Sequence, residues 1–487
     1  MTTSTALRQP PPAPDGGWGW VAMGAAFVAH IITSGYMLSL SVFLVEWQLY
    51  FDINAKTAGL VGVILGFMGP VMGLPAGGLS KTFGCRLVVI ISGLSMSLGM
   101  LLSMFATNIY HLCLTAILIS IGVGFTYQPA VTVIGHYFQK RLGLANGIAM
   151  SGVGIGMLAV PPFLQLLINT FTWQRTFPIL ASLVLLIVVC GLLFRPSDRE
   201  LYFINEKTKH KQLADDAAED EDISATESSR TCYFYLWRCL KFFGLQLIWQ
   251  MPSINFIFVA FCLLGFGYYS SLVFFTSKAV FDLGIEQTTA SWLISLVGIG
   301  SFSSRLFHGV LIDLKIVSPM MLFMVSTMMC CISDLLNPFT ASFAGLAICA
   351  FFLGAGSGMA IAVTIVCIRE AVPPTNVPNA WGISMTFLGT GNLIGVYFMA
   401  FLYDATGNYN ISFFFGAGAF FLGASSMAVL YTLKRLKEKK EASINRGEKV
   451  QNVEDYVNVE ENGLKEEFQM EKREEAEGAL NHKDESV

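Results

Sequence analysis

Blocks of this sequence recur at a nearly fixed distance, and every copy lies inside a long apolar stretch. Gly122-Val123-Gly124 followed by Ala130-Val131-Thr132 returns as Gly354-Ala355-Gly356 followed by Ala362-Val363-Thr364. Gly77-x-Leu79-x-Lys81 returns at the same offset as Gly309-x-Leu311-x-Asp313. Ala145-x-Gly147-Ile148, with Gly154 and Gly156 behind it, returns as Ala380-x-Gly382-Ile383, Gly389 and Gly391 at a slightly larger one. Two similar halves in the same order predict a duplicated helical bundle whose interface encloses a central cavity, the plan of a secondary transporter.

The apolar stretches decide the solvent. The 487 residues are 54% hydrophobic and only 13% charged, about half the charge of a soluble domain. Most charges lie before Trp18, between Arg195 and Gln250, or after Leu433. The remainder divides into stretches near the ~20 residues that cross a bilayer. They fall at 18–44, 58–80, 87–107, 110–136, 143–168 and 176–194, then at 253–276, 289–312, 319–337, 342–368, 379–402 and 411–433. The expected fold class is an all-α membrane protein of twelve transmembrane helices in two parallel-related six-helix bundles. Its expected divisions are a tail (1–17), a first bundle (18–195), a linker with an interfacial helix (196–252), a second bundle (253–433) and a tail (434–487).

Loops after even-numbered spans carry Lys81, Arg86, Lys140, Arg141, Lys315 and Arg369, besides the basic residues from Arg195 to Lys211. The opposite loops offer Lys56, Arg175 and Lys278. The positive-inside rule therefore places both termini and the central linker in the cytoplasm. The Pro-rich residues 1–14 lack the layout of a cleavable signal. Ten cysteines sit mostly within spans or near their cytoplasmic ends, which argues against a disulfide scaffold. Cys232 and Cys239 are juxtamembrane thiols open to palmitoylation. Cys232–Trp249 reads as a helix lying in the interface. Residues 206–230 are acidic and poor in apolar side chains, and read as a disordered link. The basic start of the tail, Lys434 to Lys440, suits an anionic leaflet. Tyr456-Val-Asn-Val459 and the closing Glu-Ser-Val resemble short sorting and docking signals.

A charge inside a span costs about 2.5–3.5 kcal/mol on insertion scales, so each needs a reason. Arg305 stands out in the eighth span. Its guanidinium either faces a watery cavity and holds a carboxylate bidentately, or pairs with a structural acid or with carbonyls at a helix break. No acid lies within one turn of it, which favours the cavity. Ser301 shares its face. His30, in the first span, either serves an anionic substrate or packs as a neutral group. Tyr36, Tyr127, Gln128 and Asn392 are mid-depth polar groups that line a pathway or bond a neighbouring helix. No Gly-Lys-Ser/Thr phosphate loop, paired metal ligands or nucleophile elbow is present, which argues against an enzyme, a cofactor or a resident metal. Nothing in the basic residues points to nucleic acid. Without an ATP site, transport runs down a gradient or is coupled to an ion.

Several motifs resemble a known family. Gly77-Gly78-Leu79-Ser80-Lys81-Thr82-Phe83-Gly84-Cys85-Arg86 resembles the loop signature of the major facilitator superfamily, with Lys81 where an acid is usual; the second-half counterpart keeps Asp313. Asp15-Gly16-Gly17-Trp18-Gly19-Trp20 is similar to the hallmark of the monocarboxylate transporter family, solute carrier family 16. So is Tyr137-Phe138-Gln139-Lys140-Arg141 through Leu144, Ala145, Gly147 and Ala149 to Ser151-Gly152. Phe171-Thr172-Trp173-Gln174-Arg175 and Arg195-Pro196 agree as well.

The resemblance implies a major facilitator fold in the plasma membrane and a small-molecule carboxylate or zwitterion as cargo. In proton-coupled lactate carriers of that family, a Lys in span one and an Asp–Arg pair in span eight handle substrate and proton. Here those positions read Leu38, Ser301 and Arg305, so proton–lactate symport is in doubt while a carboxylate ligand is retained. Val45-Glu46-Trp47 and Gly389-Thr390-Gly391-Asn392 look more like the non-lactate branches, which include carriers of carnitine, creatine and aromatic amino acids. The resemblance also brings in a single-span immunoglobulin-like chaperone as a partner. The expected function is a monocarboxylate carrier working by alternating access. The alternatives are a proton-linked symporter, a receptor that has kept a transporter fold and, more weakly, an ion channel.

Overall fold

The computed structural model describes residues 11–53, 55–205, 240 and 242–439. The acidic stretch 206–230, Cys232, Cys239 and the motifs at Tyr456 and the closing Glu-Ser-Val lie outside the described residues. Contacts divide the chain into two compact units, Met1–Ala428, which holds nearly every helix, and Val429–Val487.

The fold is all-α. Among the described residues, 11 helical segments are long and apolar enough to cross a membrane. Span one is Trp18–Leu44, span two Thr57–Phe83, span three Cys85–Ser103 and span four Ile109–Tyr137. A single helical run, Leu142–Leu193, follows. Span seven is Pro252–Phe281, span eight Thr289–Asp313, span nine Pro319–Phe339, span ten Phe343–Ala371, span eleven Pro374–Thr406 and span twelve Tyr409–Lys439. Side-chain caps start several of them: Asn108 accepts from the Tyr110 amide, Ser318 from Met321 and Ser342 from Gly345.

The run Leu142–Leu193 has 52 residues. Kept straight it would be about 78 Å long at ~1.5 Å per residue, far beyond a bilayer core of roughly 30 Å. It breaks at Thr172, whose φ is 72°. Its two arms return to one face: the amides of Gln139 and Lys140, just before it, bond Asp15, and its Leu193 carbonyl accepts from Trp18. The arms are spans five and six, consistent with twelve crossings.

The sequence repeat has a direct structural counterpart. Gly147 of span five lies so close to span eight that an added Cβ would sit 2.5 Å from the Arg305 carbonyl oxygen. Its repeat partner Gly382 of span eleven lies against span two, 2.5 Å by the same measure from the Gly73 carbonyl oxygen. Gly73 and Arg305 stand at equivalent repeat positions. Each half therefore inserts a glycine-faced helix into the other, and only small residues permit that approach.

Several spans run beyond expectation: span two reaches Phe83, so Lys81 is helical rather than in a loop, and span twelve reaches Lys439. Span seven continues to Phe281, which brings Lys278 into the helix rather than an outer loop; its buried Nζ donates to the carbonyl and side-chain oxygens of Asn337. Span ten runs on to Ala371, so Arg369 is helical rather than in a loop. The expected interfacial helix is described only in part: the chain turns at Gly244, with φ 73°, and closes in a short helix, Leu247–Gln250. The eight described cysteines are free thiols.

Candidate functional site

Between the two halves lies a cavity of about 100 Å³. Its walls come from spans one, two, four, five, seven, eight, ten and eleven. Met37, Leu38, Val123, Val153, Ile361, Met385 and Leu388 make much of it apolar, and Tyr127, Tyr268, Tyr269, Gln128, Ser34 and Asn392 supply polar edges. Among the described lining residues, Arg305 carries the one formal charge.

Arg305 is 1% exposed. Its Nε donates to Ser301 Oγ at 3.1 Å, one turn back on the same helix, and its Nη1 donates to the Met150 carbonyl of span five at 3.0 Å. The guanidinium meets a backbone carbonyl and also lines the cavity. Two of its five N–H donors are thereby held by protein, which fixes the fork. Tyr127 lies against the guanidinium, and Tyr268 lies within its electrostatic reach.

The remaining candidates divide. Tyr127 and Asn392 line the cavity with Arg305. Asn392 Nδ2 donates to the Gly66 carbonyl of span two at 3.5 Å, and its Oδ1 is buried without a partner. Ser301 is buried behind the guanidinium. His30 stands one layer out, edge-on to Tyr127 with ring centroids 4.8 Å apart; its Nδ1 bonds the Ala26 carbonyl, and its Nε2 is buried and unpartnered. Tyr36 is not brought to the cavity and packs beside Phe43 in the core of the first half. Leu38, the position where the resemblance expects a Lys, does line it. Tyr268 and Tyr269 line the cavity without a local signal, because they look like packing aromatics in an apolar span. His308, fully buried one turn beyond Arg305, likewise carries no local signal.

Most of the family-like motifs assemble on the face that bears the described N-terminal segment, while Phe171–Arg175 lies at the Thr172 break, the opposite end of spans five and six. Asp15, held at φ 52°, receives the amides of Gln139 and Lys140 at 2.7 Å each and so anchors the start of span five. Burial alone would raise its carboxyl pKa, but those amides and that of Arg141 outweigh burial and hold it below the ordinary value. Gly16 accepts the Gly19 amide, which opens span one. Trp18 Nε1 donates to the Leu193 carbonyl at 2.8 Å beneath the Arg195 guanidinium, and Trp20 packs edge-on to Phe138. The side chains of Arg86, Lys140, Arg141 and Arg175 are exposed.

Two clamps join the halves on that face. Asp313 of span eight accepts the Gly143 and Leu144 amides of span five at 2.8 Å each, capping a helix of the other half. Lys81, its repeat counterpart, donates to Asn376 Oδ1 at 3.1 Å at the start of span eleven. The cationic variant of the loop signature thus finds an oxygen where the acidic copy finds amides.

Cys85, His136 and Glu200 also come together there, with ligand-capable atoms within 4.8 Å of one another, a grouping with no local sequence signature. Glu200 accepts the Cys85 amide at 2.8 Å. Burial raises the Glu200 pKa despite that bond.

Comparison with known proteins agrees with this architecture. The family model "Major Facilitator Superfamily" matches residues 22–333 and 257–466. Monocarboxylate transporter 2 of Homo sapiens is 30% identical over 444 residues, covering 88% of this chain and 89% of its own. Monocarboxylate transporter 13 of Rattus norvegicus is 30% identical, covering 85% and 89%. Among solved structures, the proton:xylose symporter XylE is similar with a TM-score of 0.63 at 14% identity, covering 84% of this chain and 95% of its own. FucP, solved in the outward conformation, has a TM-score of 0.62 at 16% identity, covering 85% and 99%. The chain belongs to the monocarboxylate transporters of the Major Facilitator Superfamily, a family of membrane transporters rather than enzymes.

Proposed function

We propose that this transporter carries a compact monocarboxylate, or a related zwitterion, across the plasma membrane by alternating access, with both termini in the cytoplasm. The observation that carries the reading is Arg305: the one charged side chain among the described cavity-lining residues, pre-oriented by Ser301 and Met150. A carboxylate entering the cavity meets a fixed bidentate donor, and Tyr127 and Asn392 flank it. The apolar wall favours a hydrocarbon body, while the three tyrosines would accept the cationic end of a zwitterion on their faces. At about 100 Å³ the space is below the roughly 300 Å³ typical of drug-sized ligands, which points to a small solute. The relatives' names support the monocarboxylate class.

Facilitated movement without obligatory proton coupling fits the cavity best, because no carboxylate, Lys or His is among its described lining residues. The clamps at Asp313 and Lys81 would release as the bundle of 18–195 rocks against that of 253–433. The basic loops on the same face support its cytoplasmic placement. A single-span immunoglobulin-like chaperone remains part of the proposal for surface delivery.

The deciding experiment measures uptake of labelled lactate, carnitine, creatine and aromatic amino acids in expressing cells at two pH values, with surface protein quantified. Arg305→Ala at wild-type surface level is expected to abolish saturable uptake of the transported solute. Unchanged uptake removes Arg305 from the site, and a strong dependence on an inward proton gradient overturns uniport.

A further inference from the structure

A second cavity, of about 260 Å³, opens on the terminus-bearing face, away from the cargo site. Its basic lining comes from both halves. His136 lies at the end of span four and Arg199 on the helix of residues 198–205, while Arg369 closes span ten. All three line the one cavity, and the two guanidiniums, Arg199 and Arg369, are near neighbours of like charge. Such a grouping is unfavourable unless something neutralises it.

The acids nearby are engaged elsewhere. Asp15, within electrostatic reach of Arg199, is held by the amides before span five. Glu200, behind His136, caps the Cys85 amide. No carboxylate is among the described residues lining the cavity. Arg369 is the telling member: its Nε is buried without a partner, and its guanidinium lies directly over Gly135, where any side chain would displace it. Leaving that buried guanidinium nitrogen unbonded is costly unless an anion completes its bonds. A metal ion at Cys85, His136 and Glu200 is the competing reading, and two guanidiniums beside that imidazole oppose a cation.

We infer that this cavity binds a phosphate group, bridging Arg199 and His136 of the first half to Arg369 of the second. Two guanidinium forks match phosphate oxygens bidentately and carry two positive charges, more than a monocarboxylate balances, while the imidazole adds a polar partner. The phosphate comes either from solution or from the headgroup of an inositol phospholipid in the adjoining leaflet. Because its ligands come from both halves, bound phosphate favours this arrangement over one in which the halves part on this face.

The test uses the full chain in neutral-lipid nanodiscs and reads thermal unfolding rather than uptake. One arm titrates inorganic phosphate against chloride at matched ionic strength. The other adds phosphatidylinositol bisphosphate to the nanodisc. Stabilisation by phosphate in either arm is expected, since a ligand that binds the folded state raises its melting point. Arg369→Gln and the more exposed Arg199→Gln should each weaken the response at least about tenfold. A shift in both arms assigns free phosphate, and one confined to the lipid arm assigns the headgroup. No shift in either arm, an equal shift with chloride, or full responses from both variants overturns the site.

Discussion

Arg305 of the second half donates to the Met150 carbonyl of the first across 3.0 Å, so the one cation among the described cavity-lining residues is also a tie between the halves. Ligand binding and inter-half contact therefore share one side chain. A Lys at this position keeps the charge but cannot hold Ser301, Met150 and a carboxylate at once with a planar fork. Arg305→Lys is expected to raise the KM for the transported acid by about tenfold to a hundredfold, the loss of one charge-assisted bond. Initial rates over a concentration series check this, and an unaltered KM would show that the fork geometry is not used.

Asp313 predicts a change in conformational balance rather than in affinity. Its two oxygens cap Gly143 and Leu144 across the halves, and loss of such a cap costs about 0.5–2 kcal/mol. Asp313→Ala should move the equilibrium about two- to thirtyfold away from the arrangement closed on the terminus-bearing face. Distance distributions between fluorophores on the two halves, recorded without substrate, measure it directly. An identical distribution in the variant means the clamp does not set the balance.

Asp15 and Glu200 make opposite predictions with pH. Burial favours a raised pKa for Asp15, but the amides of Gln139, Lys140 and Arg141 prevail and lower it beneath its ordinary 3.8. The stability it contributes is therefore complete above that ordinary value and lost as pH falls through the lower folded value. Asp15→Asn, which tolerates the positive φ, should melt lower than the native chain at neutral pH, with the gap closing in acid. Glu200 is raised by burial against the Cys85 amide bond, so its contribution is present below its ordinary value and lost as pH rises through the higher folded one. Glu200→Gln keeps an oxygen for the Cys85 amide and is expected to melt no lower than the native chain at neutral pH. Melting curves of both variants across pH check the two signs.

Much of this arrangement was legible in the chain, for physical reasons that vary by residue. Apolar length and the repeat foretold two bundles, and the repeat register equates Gly73 with Arg305, which meet Gly382 and Gly147 respectively. Arg305 stood out because a charge in hydrocarbon is costly. Tyr268 and Tyr269 were hidden because an aromatic in an apolar helix reads the same whether it packs or lines a cavity. Arg369 read as a loop residue because composition changes before the helix ends; the Val372 amide still bonds the Ile368 carbonyl. The Asp313 clamp was invisible because its partners are far away in sequence and are backbone amides, which leave no side-chain signature.

Ser301 offers a way to install pH sensitivity from within the site. Its Oγ sits 3.1 Å from Arg305 Nε and it is 1% exposed. Ser301→Asp would place a carboxylate beside the guanidinium, where it competes with the carboxylate of the cargo. Near neutral pH the introduced group is ionised and pairs with Arg305, so uptake should fall steeply. Acidification protonates it, frees the fork and should restore uptake, giving a dependence on external acidity that the proposed uniport does not have. Paired uptake curves for the two proteins over mildly acid to neutral pH test this. If the variant is inactive at every pH while correctly folded at the surface, or active at all of them, then Ser301 does not govern access of the carboxylate to Arg305.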